Sequence, residues 1–157
     1  MQKITTFLTF NSQAEEAMQF YISIFYNSKV LGVIKYGGEN AEVNAPILGA
    51  TFQLAGQEFM AMNGGSYFNF AQGISLFINC ETQDEIDEYW EKLSQGGEKQ
   101  RCGWLKDKFG VSWQIVPNIL GQMLSDKDIE KSKSVMDALL KMDKIDISIL
   151  KKAFEKS

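Results

Sequence analysis

Ile4-Thr5-Thr6-Phe7-Leu8-Thr9-Phe10, followed at once by Ser12-Gln13-Ala14-Glu15, is the stretch on which the fold turns. Its β-branched and aromatic residues predict a strand. Ser12-x-x-Glu15 has the spacing of a capping box. Ala14, Ala17, Met18, Tyr21, Ile24 and Phe25 then recur every three or four residues, one face of a helix over 12–26. Seventy residues later the pattern starts again. Ile74 to Cys80 predicts a strand with Ile74, Leu76 and Ile78 on one face, and Thr82-x-x-Glu85 is a second capping box. Ile86, Tyr89, Trp90 and Leu93 stripe a helix stopped by Gly96-Gly97. At one offset Ile4 matches Ile74, Ser12 matches Thr82 and Phe20 matches Trp90. Strand, cap and stripe agreeing in one register predict a duplicated unit.

Each copy continues in strands. Val30 to Tyr36 reads as one, and Gly37 to Pro46 as a polar loop. Leu48 to Leu54 and Glu58 to Asn63 flank Ala55-Gly56-Gln57 as a hairpin. Ser66 to Gln72 is an aromatic-rich loop after Gly64-Gly65. In the second copy the expected strands are Glu98 to Lys106 and Val111 to Val116, separated by Asp107-Lys108-Phe109-Gly110. After Pro117 the composition changes. Ser125-x-x-Asp128 is placed to cap a helix carrying Ile129, Val135, Met136, Leu139 and Leu140, and Ile147, Leu150 and Phe154 suggest a last one.

The chain has 157 residues, 45% hydrophobic and 23% charged, with a net charge of −4. That length buries roughly 70% of the unfolded chain's surface without staples. A mildly acidic chain has no general attraction for phosphate backbones or anionic lipid, so no nucleic acid and no membrane is expected as a partner. No apolar run approaches a membrane span. Cys80 and Cys102 read as free thiols, and the start carries no signal-peptide pattern, so the expected location is cytoplasmic.

The chain contains no histidine. A Ser-His-Asp triad, a Cys-His dyad and any His-ligated metal site are excluded by composition. Carboxylates, lysine, tyrosine and cysteine remain as acids and bases, and no catalytic residue is assigned.

Several runs are similar to the PhnB-like branch of the vicinal-oxygen-chelate (glyoxalase/bleomycin-resistance) superfamily. They are Ala14-Glu15-Glu16-Ala17 leading to Phe20-Tyr21, Phe59 to Gly65, Cys102-Gly103-Trp104-Leu105-Lys106-Asp107, Phe109 to Pro117, and Lys141 to Asp146. The resemblance covers essentially the whole chain. It implies an α+β fold: two βαβββ modules over 1–117 forming an open, curled mixed sheet around a cavity. A helical tail over 118–157 would pack on the same domain or on a dimer mate. Such proteins have been labelled 3-demethylubiquinone-9 3-methyltransferase-like. The chain shows no Gly-rich strand-to-helix turn of a nucleotide or S-adenosylmethionine fold.

Metal enzymes of that superfamily carry His or Glu on inward-facing strands. Those positions fall here on Thr5 or Thr6, on Ser75, on Gln114 and near Ala61 to Asn63. Neutral hydroxyl and amide oxygens are weak ligands where a hard cation wants carboxylates, so no metal and no cofactor is expected. Period-two alternation puts Ser112 and Gln114 on one strand face, and Ser75 and Asn79 on one face of theirs. Such an inward Gln serves either core hydrogen bonding or a ligand. The expected ligand-binding residues are Phe7, Asn63, Phe68, Phe70, Ser75, Phe77, Asn79, Trp104 and Gln114. Trp113, on the other face from Gln114, is expected to pack against a helix.

The reading that follows is a metal-free, homodimeric binder of a small aromatic or amphipathic molecule. Two alternatives stand beside it: an enzyme of uncharacterised reaction, including the methyltransferase of the label, and a protein-interaction module using the tail.

Overall fold

Ala55 and Gly56, at φ 48° and 83°, form the two-residue turn that folds the first unit's middle strands onto each other. The computed structural model describes residues 2–156. The chain divides into two compact units, one ending at Asn69 and one starting at Phe70.

In the first unit, β1 (Thr6–Phe10), α1 (Ala14–Ile24), β2 (Lys29–Lys35), β3 (Ile47–Leu54) and β4 (Gln57–Asn63) give a sheet ordered β1-β4-β3-β2. β1 runs parallel to β4, and the remaining pairs are antiparallel. Leu8, Phe10, Ala50, Phe52, Phe59 and Ala61 are buried, as are Ala14, Ala17, Met18, Tyr21 and Ile24 of α1. Phe52 and Phe59, register partners, stack at 5.8 Å. The helical stripe is thus the expected one, but the helix is shorter at both ends and is capped differently. Ser12 does not cap it; Gln13 holds the cap position without a side-chain bond. The Ala14 N–H instead donates to Asn63 Oδ1 at 2.9 Å, from the end of β4.

The second unit repeats the plan with β5 (Leu76–Cys80), α2 (Gln83–Ser94), β6 (Glu98–Lys99), β7 (Trp104–Lys106) and β8 (Ser112–Pro117), ordered β5-β8-β7-β6. The parallel pair is again first strand with last. Each copy also closes with the same bond: Gly64 N–H to the Phe10 carbonyl at 2.7 Å, and Asn118 N–H to the Cys80 carbonyl at 2.8 Å. Here the capping box forms. Thr82 accepts from the Glu85 N–H, while the Glu85 carboxylate accepts from the Glu81 N–H, one residue earlier than the motif's usual partner.

The strand expected over Glu98 to Lys106 is two short strands paired antiparallel. Cys102 (φ 61°) and Gly103 (φ 82°) turn the chain between them. A side chain at Gly103 would stand 2.8 Å from the Ile115 carbonyl and 2.7 Å from Ile145 Cδ1.

After β8, α3 (Ile119–Leu124), α4 (Ile129–Leu139) and α5 (Ile147–Glu155) belong to the second unit. Leu120, Met123, Val135, Leu139, Ile145 and Leu150 bury themselves with Val116. Asp128 and Asp146 cap α4 and α5. Of the expected α4 stripe, Val135 and Leu139 are buried, whereas Ile129, Met136 and Leu140 are exposed. The Cys102 and Gly103 N–H groups donate to the carbonyls of Met142 and Asp143, at 2.9 and 2.7 Å. Among the described residues no helix is long and apolar enough to cross a membrane.

Candidate functional site

The two faces of the second sheet have different chemistry. Leu105, Trp113 and Ile115 point toward α2 and are buried. Strand alternation turns Phe77, Trp104 and Gln114 the other way. The register sets Phe77 beside Gln114 and Gln114 beside Trp104, so the three stand in one row across β5, β8 and β7. Asn79 lies further along β5 on that face, exposed, and Phe77 is 51% exposed. Gln114 Nε2 donates to Ser75 Oγ at 2.9 Å. Lys106, on the same face of β7 as Trp104, is register partner to Ser112.

Five of the expected site residues, Ser75, Phe77, Asn79, Trp104 and Gln114, are therefore brought together. The others stand elsewhere. Phe7, half exposed, faces away from α1 beside Met60 in the first unit. Phe68 packs edge-to-face on Tyr67 at 5.4 Å. Phe68 and Thr9 both crowd Gly64, where an added Cβ would meet them at 2.9 and 2.5 Å. Phe70, half-buried, lies near Gly110 in the second unit. Asn63 is on the helix-facing side, where its side chain holds the start of α1.

Asp107 looks like a candidate acid and is a structural anchor. It is 2% exposed. Its Oδ1 accepts from the Phe109 and Val111 N–H groups at 2.9 and 3.0 Å, and its Oδ2 from Trp113 Nε1–H at 2.9 Å. The carboxylate thus closes the β7–β8 turn and fixes the indole, which lies on the helix side as expected.

Neither thiol is a nucleophile candidate of the sheet face. Cys80 is fully buried, and burial, with Glu85 adding to it, pushes its pKa up to about 12. Cys102 is half-buried and its S–H donates to the Leu139 carbonyl at 3.6 Å.

A divalent cation does not suit the residues present. Among the described residues no three His, Cys, Asp or Glu side chains gather. Of the positions that match the superfamily's metal ligands, Ser75 and Gln114 are neutral and bonded to each other. A hard cation has no carboxylate there to replace its water.

Three open grooves of the second unit lie among its helices. Two of about 420 Å³ and one of about 470 Å³ are open and lined by residues of α2 to α5 and their flanking loops, such as Met123 with Phe154, Ala138 with Ile149, and Thr82 with Ser148. None includes the aromatic row.

The family model described as 3-demethylubiquinone-9 3-methyltransferase matches residues 2–116. A solved PhnB protein of Bacillus cereus, named for the same methyltransferase, is 42% identical, with a TM-score of 0.65 over 74% of this chain and 99% of that one. A Pseudomonas aeruginosa protein is similar in fold at 21% identity and a TM-score of 0.61, over 74% of this chain and 98% of that one. So is the fosfomycin resistance protein FosX of Listeria monocytogenes, at 16% identity and a TM-score of 0.55, over 80% of this chain and 98% of that one. No curated protein matches the chain.

Proposed function

The chain belongs to the 3-demethylubiquinone-9 3-methyltransferase-like, or PhnB-like, family of the vicinal-oxygen-chelate superfamily, and on that premise we propose that it binds a small aromatic or amphipathic molecule on one face of its second sheet. The observation that carries this reading is the row Phe77–Gln114–Trp104, with Gln114 tied to Ser75. Two aromatic side chains supply flat apolar area. Between them an amide is held in one orientation. One of its N–H donors is committed to Ser75, which leaves its carbonyl oxygen and second N–H for a ligand's hydroxyl or carbonyl. Asn79 adds a further amide on the same face. Within this proposal the protein is a cytoplasmic homodimer.

The test uses the protein's own tryptophans. Trp90 and Trp113 are 2% and 3% exposed, whereas Trp104 is only half-buried. Titration with a short-chain ubiquinone analogue is expected to quench fluorescence saturably in the micromolar range, and Trp104→Phe to abolish most of that change. No saturable quenching together with no thermal shift would refute the reading. Calorimetric binding of S-adenosylmethionine would favour methyl transfer instead. Native mass spectrometry near twice the 17.7 kDa chain mass tests the dimer.

A further inference from the structure

The same face carries a cation whose partner is missing. Lys106 follows Trp104 by two residues on β7, so both side chains leave the same side of the sheet, with Cα atoms about 7 Å apart. Lys106 is half-buried as a residue. Its register partners are Ser112 on β8 and Glu98 on β6. Glu98 is the carboxylate placed to neutralise it, yet among the described residues Lys106 makes no ion pair. Asp107, next in sequence, is turned away and accepts from Phe109, Val111 and Trp113. The other residues of the face, Phe77, Asn79, Trp104, Ser112 and Gln114, carry no charge.

A lysine whose stem lies along the sheet face and whose ammonium has no carboxylate partner there is placed to pair with an anion. The spacing along β7 sets such an anion one strand step beyond the aromatic pair. From this we propose that the face is selective for an aromatic acid. Its ring lies against Phe77 and Trp104, its polar substituent meets Gln114, and its carboxylate pairs with Lys106. This deepens the binding reading above and rests on it.

The experiment compares two probes of one shape, 2-naphthoate and 2-naphthamide, by calorimetry at low salt on the wild-type protein and on Lys106→Gln. The expected result is about tenfold tighter binding of the acid by the wild type, as for one charge-assisted contact. That preference is lost in Lys106→Gln, while affinity for the amide stays within about twofold. Equal wild-type affinity for acid and amide would overturn the charge selectivity and leave the binding face standing. So would a preference that survives in Lys106→Gln. Binding of neither probe, with quinone titration also flat, would remove the binding reading and this inference together. Circular dichroism of the variant checks that it is folded, and Lys106→Arg, which keeps the charge, is expected to retain the acid preference.

Discussion

Replacing Asp107 by alanine isolates the structural role of a buried acid. The side chain satisfies three donors: two backbone N–H groups and the indole N–H of Trp113. Val111 and Trp113 are 4% and 3% exposed, so water cannot take over those two bonds without opening the core. Each orphaned buried donor costs about 1–3 kcal/mol. The donor at Phe109 is closer to solvent and costs less. The sum is about 4 kcal/mol, a large part of the 5–15 kcal/mol typical of a domain. Asp107→Asn keeps an oxygen for the two backbone donors but turns an N–H toward the indole. It is expected to lose about 2 kcal/mol. Urea unfolding followed by far-UV ellipticity measures both, with the slope m checked for constancy. Quinone titration of Asp107→Asn is expected to match the wild type, since the carboxylate does not reach the sheet face. A midpoint for Asp107→Ala equivalent to less than about 1 kcal/mol of destabilisation would refute the anchoring argument. Loss of binding in a stable Asp107→Asn would assign the residue to function instead.

Three further outcomes are expected. Asn63→Ala destabilises by about 1 kcal/mol because it uncaps α1, whereas Ser12→Ala is near neutral, both read by urea unfolding. Gly103→Ala costs about 3 kcal/mol, because φ is 82° and the new methyl meets a carbonyl, while Ala55→Gly at φ 48° gains up to about 1 kcal/mol; thermal melts rank the pair. Cys80 keeps its proton in the folded state to about pH 12, while an unfolded thiol ionises near 9. Its raised pKa means that stability is whole below pH 9 and falls as pH rises from 9 toward 12. Cys80→Ala is expected to flatten that alkaline limb in pH-dependent melts, and Cys80 to resist a disulfide reagent at pH 8 until the protein is denatured.

The duplicated plan was legible because strand alternation and helical spacing are local signals: the buried face of α1 runs from Ala14 to Ile24 as its period predicts. Pairing is not local. Nothing near Phe77 in the sequence says that Gln114 will lie beside it, or that Met60 will lie beside Phe7. Ser75, Phe77, Asn79 and Gln114 were readable as polar and aromatic residues at face-sharing spacings, while the row they form with Trp104 needed the register. The break in the strand over Glu98 to Lys106 escaped because a non-glycine, Cys102, takes positive φ there, held by carbonyls about 40 residues away. Asn63 escaped for the same reason: as the last residue of an alternating strand it reads as a face residue, whereas its work is done for a helix 49 residues earlier.

That borrowed cap ties the start of the first helix to a strand made 49 residues later. α1 leaves the ribosome with its leading amide unclaimed and stays so until β4 has emerged and lain down beside β1. α2 carries its own N-cap at Thr82, supplied from within its own first turn. Two halves built to one plan thus close their helices differently, one from within its own first turn and the other from its own last strand.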